Sequence, residues 1–245
     1  MSKLRIALFY LAGIFLLACF SYFLIFSNLF YCQTVYFQEV DEILPNVYVS
    51  KKMNESDRKI FLIYYDSACK RVANFFGSKD ATSRMIVGND GEIMQKFGNQ
   101  QHGKAGMTHF TPVGTYIVID KEGLNIDVIS HELAHTELFA RIGWENRTFL
   151  IPTWFDEGIA MLLDNRFVEM EEEWQFITLN GQNAPNLKEI STPEAFFGNP
   201  QHTFTNYLTA KNEVQKWYAR NGKEGLQKFI NCIDTQGNFK DCYEK

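Results

Sequence analysis

Thirty-three consecutive residues, Ile6 to Gln38, contain no charged side chain, and this run divides the chain more sharply than any other feature. Its most apolar part, IALFYLAGIFLLACFSYFLIF from Ile6 to Phe26, meets the roughly 20 residues that a helix needs to cross a bilayer. A core helix of a soluble domain would carry a polar stripe along such a length. A cleaved signal peptide would have a shorter apolar region, about 7–15 residues, closed by small residues. Leu16-Leu17-Ala18-Cys19 resembles a bacterial lipoprotein cleavage box, yet the apolar run continues past it to Phe26. The expectation is one uncut transmembrane signal anchor within residues 1–38, with lipid attachment at Cys19 as the minor alternative. Lys3 and Arg5 precede the run, and Glu39, Asp41 and Glu42 follow it. Excess Lys and Arg stay on the cytoplasmic side, so residues 39–245 are expected outside the cytoplasm, on the periplasmic face of a bacterial inner membrane.

That second segment is long enough for one good core. It holds 22 of the 24 Lys/Arg and all 29 Asp/Glu, a net charge of −7. An acidic domain without basic runs argues against nucleic acid as a partner. Cys69, Cys232 and Cys242 lie in it; an oxidising compartment would permit a Cys232–Cys242 bridge, and buried free thiols are the equal alternative.

The pattern reads as mixed strands first and helices after, an α+β domain. Residues 57–76 place Ile60, Tyr64, Ala68, Val72 and Phe75 at helical spacing. RMIVG (Arg84 to Gly88) and TYIVID (Thr115 to Asp120) are rich in strand formers. Between them Gly91, Gly98, Gly103 and Gly106 punctuate a polar stretch read as loop. A helix is expected from about Leu124 to Ile142, with Asn125 as N-cap and Gly143 as stop. Another runs from Pro152 to about Asn165. Two more, about Thr205 to Arg220 and Glu224 to Asp234, are separated by Asn221-Gly222.

The middle of the longest helix beyond the apolar run reads His131-Glu132-Leu133-Ala134-His135. Residues four apart lie one turn apart on the same face, so both imidazoles can reach one ion. Zinc accepts two His nitrogens and a carboxylate oxygen and leaves a fourth position for water. Glu132 follows the first candidate ligand directly, and a carboxylate there can take the proton of such a water. A surface helix with two solvated histidines is the plain alternative, but Ile126, Ile129, Leu133 and Leu138 assign this helix to a core. A third ligand is offered by Ile151-Pro152-Thr153-Trp154-Phe155-Asp156-Glu157-Gly158-Ile159-Ala160. Asp156 and Glu157 compete for the role, about 100° apart on a helix, so one of them should face the ion. Gly158 and Ala160 would permit close helix packing there, and Trp154 and Phe155 are expected to be packing residues.

HELAH followed by PTWFDEGIA resembles the gluzincin metallopeptidases, in particular the peptidase-MA-like group, whose second helix carries Trp-x-x-Glu-Gly-x-Ala. The likeness is specific over about 130–165 and weaker upstream, where TYIVID matches the edge strand that such domains place before the active-site helix. It implies a zincin-like domain with a small mixed sheet and one Zn2+ per chain at His131, His135 and Glu157. It implies also that Glu132 is the general base of peptide-bond hydrolysis, and it selects Glu157 over Asp156. The thermolysin-like branch orients a histidine with an acid four residues after its glutamate ligand; Met161 stands there, leaving the partners of the histidines unassigned. Members often stabilise the oxyanion with a Tyr or His from the following helical region, which makes Tyr207 the candidate and His202 the reserve. His109 could line the cleft, although a lone His is more often structural.

The expected function is thus a membrane-anchored zinc metallopeptidase acting on a peptide or protein substrate. A zinc amidase on cell-wall peptide is the second reading, and an inactive, partner-binding peptidase-like domain the third. Glu132 disfavours the third, because a structural metal site has no use for that carboxylate. Asp127, Glu137 and Arg141 on the motif helix exclude an intramembrane protease.

Overall fold

The computed structural model describes residues 3–98, 105–167 and 169–244; Gly103 and the side chain of Lys3, both used above, lie outside the described residues. The chain opens with helix α1 (Lys3–Ile25), bends at Phe26, and continues in a short helix α2 (Ser27–Gln33). Strands β1 (Val40–Leu44) and β2 (Val47–Ser50) form a hairpin, followed by helix α3 (Glu55–Phe76). Strand β3 (Arg84–Val87), helix α4 (Glu92–Phe97), and strands β4 (Gly106–Thr111) and β5 (Gly114–Ile119) complete the first half. The second half is helical: α5 (Ile126–Phe149), α6 (Thr153–Leu162), α7 (Glu171–Ile177), α8 (Pro193–Phe197), α9 (Pro200–Gln236) and α10 (Phe239–Tyr243).

This is an α+β fold around a five-stranded mixed sheet ordered β1-β2-β3-β5-β4. β2, β3 and β5 run parallel, and β1 and β4 pair antiparallel at the two edges. Side chains alternate across a strand, and here both faces are covered. Val47, Val49, Met85, Val87, Ile117 and Ile119 point into a large core with α3, α5, α6 and α9. Tyr48, Ile86, Tyr116 and Val118 point the other way, into a smaller core closed by Ile93, Met94 and Phe97 of α4 and by Cys32 and Val35. The folded core therefore begins before residue 39: Cys32 and Val35 are fully buried, and Asn28 donates to the carbonyls of Gln95 and Lys96.

Along α1 the apolar side chains from Tyr10 to Phe20 are exposed. Among the described residues no single helix is long and apolar enough to cross a membrane. Tyr10–Ile25 together with Ser27–Gln33 meets that length and composition, as a pair bent by 107°.

Several expectations need correction. The stretch between RMIVG and TYIVID, read as loop, holds α4 and β4. Gly91 at φ 82 opens α4, whose Ile93, Met94 and Phe97 are buried. TYIVID is not the edge strand. β4 is, because its tight hairpin return through Val113 places it outside β5, whose other side is taken by β3. In α3 the most deeply buried stripe is Phe61, Ala68, Val72 and Phe76, while Ile60 is 42% exposed; helical spacing alone cannot choose between adjacent stripes. The breaks expected at Gly143 and Gly222 are present: both are non-helical (φ 80 and φ 61) and divide α5 and α9 into two helical segments each, the second segment of α5 reaching Phe149.

Candidate metal centre

α5 starts where Asn125 caps it, its side chain accepting from the N–H of Val128 at 2.9 Å. The sheet covers one side of this helix and α6 and α9 the other, so every residue from Val128 to Leu138 is buried. His131 and His135 sit in that stretch. α6 crosses beside them, held by the aromatic cluster of Trp154, Phe155, Trp217, Phe229, Phe239 and Tyr243. Trp154 and Phe155 are packing residues, as expected. Gly158 lets α6 approach α9: a Cβ there would lie 2.4 Å from Val214 Cγ2 and 2.7 Å from the Ala210 carbonyl.

This packing brings three donor atoms together. His131 Nε2 and His135 Nε2 are 3.2 Å apart, and Glu157 Oε2 lies 3.4 Å and 3.6 Å from them. A tetrahedral ion with bonds of about 2.0–2.1 Å sets its ligands about 3.3–3.4 Å apart. Glu157 Oε2 is buried without a hydrogen-bond partner. Such an atom carries a desolvation cost, which a cation at the centre of the trio would offset. His131, His135 and Glu157 can therefore hold a metal ion. Of the two competing acids it is Glu157 that approaches the Nε2 atoms of both histidines.

Asp156 turns instead to the far side of His135, its Oδ1 3.0 Å from Nδ1, and its Oδ2 pairs with Arg147 at 2.5 Å. Arg147 belongs to the segment after the Gly143 break and also lies over the Phe110 ring at 3.7 Å. His131 Nδ1 faces Asp164 Oδ2 at 3.8 Å. Burial alone would lower the pKa of His135, but Asp156 and then Glu157 outweigh it and hold the imidazolium well above its ordinary range. Burial would raise Glu157, yet His135 and His131 keep its carboxyl well below the usual value. Burial is likewise overcome at Asp156, by Arg147 and then His135.

Glu132 lies against the edge strand. Its Oε2 accepts from Thr108 Oγ1 at 2.7 Å, and a Cβ on Gly106 would come 2.8 Å from its Oε1. Tyr207, on α9, packs on Phe196 and Phe197. Its hydroxyl pKa is raised well above the ordinary value, by burial first and then by Glu157 and Glu132. The phenol therefore stays protonated, a donor within the field of the site. His202 is exposed on the first turn of α9. His109 points away, its Nε2 2.7 Å from the Phe97 carbonyl oxygen, which makes it structural. A pocket of about 300 Å³ is lined by the turn from Arg147 to Thr153, Asp156 and Ser191–Pro193; neither histidine nor Glu132 reaches it.

Sequence reasoning missed Thr108, Arg147 and Asp164. The first lay in a stretch read as loop, and the other two approach through chain breaks that carry no periodic signal. No protein-family model and no curated protein matches this chain.

Proposed function

We propose that this protein is a zinc-dependent hydrolase, a membrane-anchored metallopeptidase of the gluzincin, peptidase-MA-like type. The observation that carries the reading is the convergence of His131 Nε2, His135 Nε2 and Glu157 Oε2 at 3.2–3.6 Å, with Glu132 beside them on the same helix. Two imidazoles and a carboxylate form a donor set suited to zinc. A zinc ion held there supplies a Lewis acid and lowers the pKa of its water toward neutrality.

In this reading Glu132 takes the proton of the attacking water and passes it to the leaving amine. The Thr108 hydroxyl holds its carboxylate against β4. Tyr207 donates its retained proton to the oxygen on which charge develops. A peptide is the favoured substrate class because β4 is an edge strand. Among the described residues no strand pairs with its outer edge, and this strand, joined to Glu132 through Thr108, can align an extended chain. The anchor rests on the uncharged run from Ile6 to Gln38 and on the exposed apolar surface of α1. The bond between Cys232 and Cys242 suits an oxidising compartment outside the cytoplasm.

The test is metal analysis of the full chain in detergent, paired with peptide turnover. About one zinc per chain is expected, reduced in Glu157→Ala. Glu132→Gln should keep its zinc and lose roughly 10²–10⁴-fold in turnover, the usual weight of a general base. Absence of metal under replete conditions, or full activity in Glu132→Gln, would overturn the reading.

A further inference from the structure

A ligating imidazole presents one nitrogen to its ion, and the other nitrogen needs an acceptor to fix the ring and its tautomer. His135 has one. Its Nδ1 is 3.0 Å from Asp156, and Asp156 is held in turn by Arg147. His131 lacks the equivalent: its Nδ1 is buried and makes no hydrogen bond. The carboxylate facing it is Asp164, whose Oδ2 stands 3.8 Å away.

Asp164 is built as Asp156 is built. Its side chain is fully buried, and an arginine clamps it from behind. Arg166 donates through Nε to Oδ1 at 2.9 Å and through a terminal nitrogen to Oδ2 at 2.5 Å. The Arg147–Asp156–His135 series is thus matched by Arg166–Asp164–His131, with one gap. Asp164 lies seven residues after Glu157, just beyond the end of α6, whereas the position one turn after Glu157 is Met161.

We propose that Asp164 is the positioning residue of His131. This rests on reading His131, His135 and Glu157 as metal ligands. With Nε2 committed to an ion, the Nδ1–H donates to Asp164 after the pair closes by about an ångström to the usual length of a charge-assisted bond. The bond would set the ring so that its Nε2 lone pair faces His135 and Glu157. The plainer role for Asp164 is to accept the Arg166 N–H at 3.1 Å and so cap the turn that follows. Asparagine can keep that cap while losing the charge, which separates the two roles.

The experiment uses the full chain in detergent, titrated with Zn2+ and with Co2+ against a competing chelator. Asp164→Asn should bind Zn2+ about 10–100-fold more weakly and shift the visible absorption of its Co2+ form, and Asp164→Glu should recover part of the affinity. Wild-type affinity and an unchanged Co2+ spectrum in Asp164→Asn would overturn the proposal. Should that variant not fold, nitrogen-15 labelling of the histidines in the wild-type zinc form decides instead. Two slowly exchanging Nδ1–H resonances are expected; a single one overturns it. If the wild type binds neither metal, the ligand reading itself has failed, an outcome distinct from wild-type binding that survives in Asp164→Asn.

Discussion

The two faces of the sheet are covered by different kinds of structure. On one, α3 and α5 lie on the strands, with α6 and α9 behind them, and the core they form surrounds buried ionisable side chains at His131, His135, Glu137, Asp156, Glu157 and Asp164. On the other, two short helices and the segment through Val35 close a small apolar core, and its buried carboxylate, Asp120, accepts backbone N–H groups from Gly91, Met94 and Lys121. The deep face can hold ionised groups because opposite charges are paired there, which offsets the cost of burying them. The shallow face joins the domain to the helix that precedes it. The trio able to hold a metal and the junction with the preceding helix thus lie on opposite sides of one sheet.

The comparison breaks most severely if the shallow face is removed. A fragment of residues 40–245 lacks Cys32 and Val35 and uncovers Tyr48, Ile86 and Phe97. Burial of Val35 alone is worth about 1.5–3 kcal/mol, and the side chains beneath it lose their own burial as well. We expect this fragment to melt roughly 10–20 °C below residues 27–245 by circular dichroism, at about 2–4 °C per kcal/mol for a domain of this size. Melting within 2 °C of each other would deny that the shallow face is a core.

A matched pair of truncations comes next. Phe155 and Phe97 are both fully buried, one on each side. Phe155→Ala and Phe97→Ala should each cost about 3–5 kcal/mol in denaturant unfolding. Only the first should weaken metal binding, because Phe155 seats the helix that carries Glu157. Smaller again is the staple on the deep side. Replacing Cys232 and Cys242 by Ser opens a short loop between α9 and α10 and should cost about 2–3 kcal/mol, with no effect on the shallow core.

The smallest expected effect is on pH dependence, which should belong to the deep face alone. In metal-free protein the folded-state pKa of His135 is raised, because Asp156 and Glu157 outweigh burial. Its paired cation adds stability that is complete below about pH 6.5, the unfolded imidazole value. That stability is lost as pH climbs through the higher folded value. Ligation requires neutral His135, so a bound metal stabilises more over the same interval. Melting temperature above pH 6.5 should fall with pH in chelator and stay level in excess zinc, where the growing metal contribution offsets that loss. Parallel curves would show that His135 is not a ligand.

The sequence by itself determined the features that depend on local order. The spacing of His131 and His135 puts both on one helical face, Asn125 caps that helix, Pro152 precedes the next, and Trp154 and Phe155 are packing residues. Periodicity and capping are local rules, so these could be read directly. The trio able to hold a metal was legible as well, once a likeness in short motifs had separated Glu157 from Asp156.

Tertiary structure decided the rest. Nothing local makes Gly106 to Thr111 an edge strand; its place follows from the hairpin with β5 and from β3 occupying the other side. Asp156 and Asp164 face the histidines only because α6 crosses α5, and Arg147 reaches Asp156 only because Gly143 redirects the chain. The segment through Cys32 and Val35 reads as a continuation of the apolar run, yet it belongs to the domain. Hydrophobicity marks a side chain for burial without naming the surface that buries it, and here that surface is the second face of a sheet assembled from strands far along the chain.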